Sequence, residues 1–135
     1  MKIQEIVKKV LVSGRDYDVL PRTNKPTLLK SGAEIIAGCY NYRTSAQIIN
    51  SIIDTEKQFA MYEVKVSVYD ENGAVVAEGF GSCNSKENRY VKAGMYNSLN
   101  TVLKMAKKRA YVDAILTASK ASYLFTQDLE DLPTK

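Results

Sequence analysis

Apolar positions recur at two different periods along this chain, and the switches between them outline its elements. Ile3, Ile6, Val7, Val10 and Leu11 fall at i, i+3, i+4, i+7 and i+8, which predicts a short amphipathic helix over residues 3–11 that Gly14 ends. Residues 15–30, RDYDVLPRTNKPTLLK, hold Pro21 and Pro26 and read as an irregular connection. Ser31 with Glu34 three residues on has the form of a capping box, predicting a helix from Gly32 to Tyr40. The period then changes to two. Ala46 to Asp54 is rich in β-branched Ile48, Ile49, Ile52 and Ile53, and from Met61 the alternation puts Tyr62, Val64, Val66 and Val68 on one face. Glu63, Lys65, Ser67 and Tyr69 take the other. Asn72-Gly73 supplies a tight turn with positive φ angles, and Val75 to Ser82 returns as a third strand. Asn84 to Asn97 is polar and reads as a loop. Ser98 to Ser119 contains good helix formers with neither Pro nor Gly. The expected fold is α+β: an antiparallel β-β-β meander packed by a long α-helix, with N-terminal helices, in one domain over residues 1–135.

Composition adds one exclusion. The 135 residues contain no histidine and no tryptophan. A histidine-free chain cannot build Ser-His-Asp or Cys-His catalysis, mixed His/Cys zinc sites or a two-His-one-carboxylate iron site. Cys39 and Cys83 stand far apart without a C-x-x-C pairing and read as two reduced thiols. No metal or cofactor is expected. No apolar run approaches the ~20 residues of a membrane span. The opening MKIQEIVKKVLVSG lacks the apolar block and cleavage site of a signal peptide, so a cytoplasmic location is expected.

Charge changes the picture through its distribution. The net +4 arises from 19 basic and 15 acidic residues. Residues 1–33 carry seven basic and three acidic groups, residues 34–82 three and seven, and residues 83–127 eight and two. The final helix gathers much of the second basic block. At 100° per residue, Lys104, Lys107, Lys108 and Tyr111 share an arc of about 100°, while Leu99, Leu103, Ala106, Ala110 and Thr117 form a narrow face suited to packing on the sheet. Three ammonium groups beside a tyrosine ring can follow a phosphate backbone and stack an unpaired base; a solvated basic face is the plainer alternative. Arg109, off this arc, stands four residues before Asp113 and reads as an intrahelical ion pair. Seven tyrosines interleave with Arg43, Lys65, Arg89 and Lys92, which suits single strands better than duplex, although tyrosine fits half-buried strands as well.

Asp54, Glu63 and Lys65 imitate the acidic-then-E-x-K pattern of Mg²⁺-dependent nucleases, although strand alternation explains Glu63 and Lys65 equally well. Gly79-Phe80-Gly81 reads as a close crossing by the helix or a bulge. No G-x-x-x-x-G-K-[ST] is present, so any work on DNA is expected to proceed without ATP hydrolysis.

Two stretches carry a family resemblance. DYDVLPRTNKPTLLKSGAEII at 16–36, and AVVAEGFGSCNS through NTVLKMAKKRAYVDAILTAS to FTQDLE within 74–130, resemble the DdrA-like branch of the Rad-type single-strand annealing superfamily of phages and bacteria. The resemblance implies a β-β-β-α core and ring or filament homo-oligomers. It also implies ATP-independent binding and annealing of single-stranded DNA in a basic groove, in recombination and repair. It makes a host single-strand-binding protein a candidate partner. Lys30 and the Lys104, Lys107, Lys108 cluster are then the phosphate contacts, with Lys65 and Tyr111 completing the expected DNA-binding set. The chain departs from the pattern after Asp113-Ala114, where relatives carry a Lys-Arg pair and this chain has Ile115-Leu116-Thr117. That departure keeps open a third reading, a ring-forming protein that binds protein instead of DNA.

Overall fold

A computed structural model describes residues 1–19, 21 and 25–126. The order is α1 (Ile3–Lys9), β1 (Tyr17–Asp18), β2 (Thr27–Leu28), α2 (Lys30–Cys39), β3 (Arg43–Asp54), β4 (Phe59–Tyr69), β5 (Val75–Asn84) and α3 (Met95–Ala118). β3, β4 and β5 form an antiparallel sheet in that spatial order, and β1 and β2 make a separate two-residue ladder. The α+β meander with its long helix is as the patterning predicts. The end of the FTQDLE stretch lies outside the described residues.

The meander forms because β4 alternates. Val64, Val66 and Val68 are buried under α3, and the odd-numbered residues of β4 take the opposite, open face. On β5 the positions opposite Val64 and Val66 are Gly81 and Gly79. A Cβ on Gly79 would collide with the backbone of Ala114 and Ala110, and one on Gly81 with that of Ala110 and Ala106. At these two positions the helix rests directly on the strand. This is the close crossing that the Gly-Phe-Gly sequence suggested.

The helix is buried on more than the one face its small residues predict. Ala106, Ala110 and Ala114 meet β5, and further residues including Val102, Val112, Ile115 and Leu116 are buried as well. Helix α2 packs on α3 in addition to the sheet. Thr117, placed on the packing face by its angle, is exposed.

The described part of the N-terminal connection gathers around one carboxylate. Asp16, fully buried, accepts the Val12 N–H at 2.8 Å and the Arg15 guanidinium at 2.6 and 3.0 Å. The Arg15 hydrogen bonds hold its carboxyl at about 2, against burial, which alone would raise it. Ser31 does not cap its helix, whose N-cap is Leu29 without a side-chain bond. Its hydroxyl instead lies 2.6 Å from Asp16 Oδ1 and 2.7 Å from the Arg15 carbonyl. The capping-box pattern thus serves a tertiary bond.

Two turns join the strands. At the first, Asp54 Oδ1 accepts the N–H groups of Glu56 and Lys57 at 3.1 and 3.0 Å. At the second, Asp70 Oδ1 accepts those of Asn72 and Ala74, and Gly73 alone takes a positive φ, of 83°. Asn72 does not share the left-handed conformation expected of it, because the aspartate holds the turn. A register shift between Ile48 and Asn50 leaves Ile49 as a bulge residue in β3.

A basic groove between the first strand and the long helix

Helix α3 covers β4 and β5 and stops short of β3, all of whose residues before Asp54 are exposed. The space between β3 and the helix is a groove. Its central part, about 450 Å³, is lined by Lys30 and Glu34 of α2, Thr44 of β3, and Lys104, Lys107, Lys108 and Tyr111 of α3. Lys107 also borders an apolar continuation of about 190 Å³ formed with Ala46, Ile48, Val64 and Leu103. Lys30, Lys104 and Lys108 border a second extension of about 290 Å³ that reaches Asn100 and Thr101.

Five of the six residues expected to contact DNA therefore meet at one place, contributed by two helices. Lys30 is brought in because α2 starts at that residue, and the α3 residues because their arc faces β3. The sixth, Lys65, does not join them. Its neighbour Val64 lines the groove, so strand alternation turns Lys65 to the open face. There it pairs with Glu78 across to β5 at 3.3 Å.

Tyr111 is the one tyrosine in the groove. Burial, aided by the negative charge of Glu34, pushes its hydroxyl up to about 12, so it stays protonated at neutral pH and presents a neutral ring. The other interleaved tyrosines disperse: Tyr40 and Tyr42 stack on each other at 5.3 Å, Tyr90 is buried, and Tyr96 is exposed. Sequence reasoning missed Thr44, Ile48 and Glu34 as lining residues, and assigned Leu103 to sheet packing. Ile48 carried a signal: a β-branched residue in a strand that the single long helix is too narrow to cover.

The Asp54, Glu63 and Lys65 pattern is not assembled into a cluster. Asp54 holds its turn opposite Phe59, Glu63 stands four residues further along β4 opposite Asn50, and Lys65 is engaged with Glu78. Among the described residues no three His, Cys, Asp or Glu side chains are grouped to hold a metal ion.

Opposite the groove, the outer edge of β5 is built differently. Arg109 reaches Glu87 with both terminal nitrogens at 3.0 Å, and its Nη1 donates to the Ser82 carbonyl at 2.8 Å. Asp113 accepts the Phe80 N–H at 2.9 Å, and Glu87 accepts the Asn84 N–H at 3.2 Å. Arg109 and Asp113, expected to pair within the helix, thus each reach out to β5 or to the loop behind it. Burial alone would raise the Glu87 carboxyl; the Arg109 hydrogen bonds, with the Asn84 N–H and the guanidinium charge, outweigh it and hold the group below the usual carboxylate range. These bonds also order the segment read as a loop, and α3 begins at Met95, three residues earlier than predicted. Cys83 lies beneath, its thiol pushed up to about 11 by burial and by Glu87.

Among the described residues no helix is long and apolar enough to cross a membrane. No protein-family model matches this chain, and no curated protein matches it either.

Proposed function

We propose that this chain binds single-stranded DNA in the groove between β3 and α3 and anneals complementary strands without ATP, acting in the cytoplasm as an assembly of copies in the manner of the DdrA-like annealing proteins. The observation that carries this reading is the convergence of Lys30, Lys104, Lys107, Lys108 and Tyr111 on one groove with an apolar continuation at Ile48 and Leu103. Lysines suit a flexible phosphate backbone as point charges, and unstacked bases need an aromatic or apolar surface. A groove offering both is matched to a strand whose bases are unpaired. A protein that holds and pairs strands needs no titrating catalyst, in keeping with a chain that lacks histidine.

The test replaces Lys104, Lys107 and Lys108 together by Glu and follows binding of a labelled oligonucleotide by fluorescence anisotropy across salt concentrations. Wild-type binding should weaken with a log–log salt slope of about −0.7 per neutralised phosphate, or roughly −3 for four lysines. The variant should lose binding altogether. Annealing by the wild type should proceed in EDTA, whereas strand cleavage that EDTA stops would mark the nuclease reading. Wild-type affinity in the triple variant would remove the groove from the account.

A further inference from the structure

The two edges of the sheet differ in what covers them. On β5, backbone groups of Phe80, Ser82 and Asn84 are already bonded to Asp113, Arg109 and Glu87. The twelve-residue β3 has no comparable set of capping side chains among the described residues, and Ile48, Ile49, Ile52 and Ile53 on it are 40–49% exposed. A bare edge of about 40 Å with four exposed isoleucines is a template for another strand.

We infer that β3 pairs antiparallel with β3 of a second copy about a two-fold axis between Ile48 and Ile49, joining two sheets into one of six strands. Antiparallel partners must point to the same side of a sheet. A regular strand of twelve residues cannot pair with itself over its full length, because its first and last side chains point to opposite sides. The bulge at Ile49 removes that obstacle. Arg43 lies opposite Tyr69 and Asp54 opposite Phe59, both odd-numbered positions of β4, so both project from the open face. Full-length self-pairing then sets Arg43 against Asp54 of the other copy at each end, and Gln47 against Asn50 beside the axis. Opposite charges meet twice, and amide meets amide.

This inference goes beyond the DNA reading and is tested without DNA. Within one protomer Arg43 and Asp54 stand at opposite ends of the strand, so any coupling between them must cross between chains. Light scattering on the full chain should give at least twice the 15.1 kDa chain mass. Arg43→Glu and Asp54→Lys should each place like charges at both ends and weaken the dimer by at least about tenfold. The double variant should regain it. An equimolar mixture of the two single variants should also dimerise, since each end then holds one opposite pair. Circular dichroism checks that each variant keeps its fold. A chain that stays monomeric up to hundreds of micromolar would overturn the inference. So would an oligomer of any size whose affinity ignores both reversals.

Discussion

The two outer strands of this sheet have similar lengths and opposite treatments. β5 presents its backbone to α3 and to the loop before it, and three side chains bond the Phe80 and Asn84 N–H groups and the Ser82 carbonyl. β3 presents its backbone to solvent, with exposed isoleucines along it. The difference follows from where the helix lies. Glycines at 79 and 81 draw α3 onto β5, close enough for Arg109 and Asp113 to reach the strand. The same displacement leaves β3 uncovered and opens the groove on that side. A single asymmetry in side-chain size thus decides which edge is closed and where a ligand can lie.

The largest expected effect comes from removing the cause of that asymmetry. Gly81→Val would force the strand away from the backbone of Ala106 and Ala110, and since neither contact is a movable side chain it should cost at least about 3 kcal/mol, the upper part of the range for overpacking. Urea unfolding monitored by circular dichroism measures it; a loss below about 1 kcal/mol would mean that the helix can lift without penalty. Glu87→Gln attacks the β5 edge alone. It removes the charge that Arg109 meets with both terminal nitrogens, for about 2 kcal/mol, less than for a fully buried pair because Glu87 keeps some exposure. The pH dependence has the same origin. A carboxyl held below its unfolded value stabilises the fold fully above the ordinary value of 4.5, and that contribution fades as pH falls through the folded-state value. Wild-type stability should therefore decline on acidification, and the Gln variant should decline less steeply. The smallest effect is expected from Asp113→Ala, about 1 kcal/mol or less. Hydrogen exchange should show it as faster exchange at the Phe80 amide, with β3 amides unchanged.

Much of the fold was legible because its pattern is local. The Tyr62-Val64-Val66-Val68 alternation and the glycines facing it name the buried face of the sheet, and Lys104, Lys107, Lys108 and Tyr111 share an arc by helical geometry alone. Their meeting with Lys30 could be expected only through the family resemblance, since it depends on how α2 packs on α3. The misplaced features are tertiary ones. Ser31 has the spacing of a cap but finds a buried aspartate fifteen residues back. Arg109 and Asp113 have the spacing of an ion pair, yet the closeness of β5 offers each a backbone partner that spacing cannot reveal. One clue was present: Glu87 and Asp113 are the only acids among residues 83–127, so a buried arginine in that block had few partners to choose from. Lys65 has the charge of a phosphate contact, but its position in the alternation places it on the far face.

The direct seating of α3 on Gly79 and Gly81 also has a mechanical side. Backbone touching backbone leaves no compliant layer of side chains to compress or shear, so helix and strand behave as one stiff body. The groove is then a vice with one fixed jaw. Within a single copy its other jaw, β3, is held along one side only, by its ladder to β4, and a ribbon held that way can twist. Any adjustment of the gap to a wider or narrower occupant falls to β3, and the lysines on the fixed jaw keep their spacing while it happens.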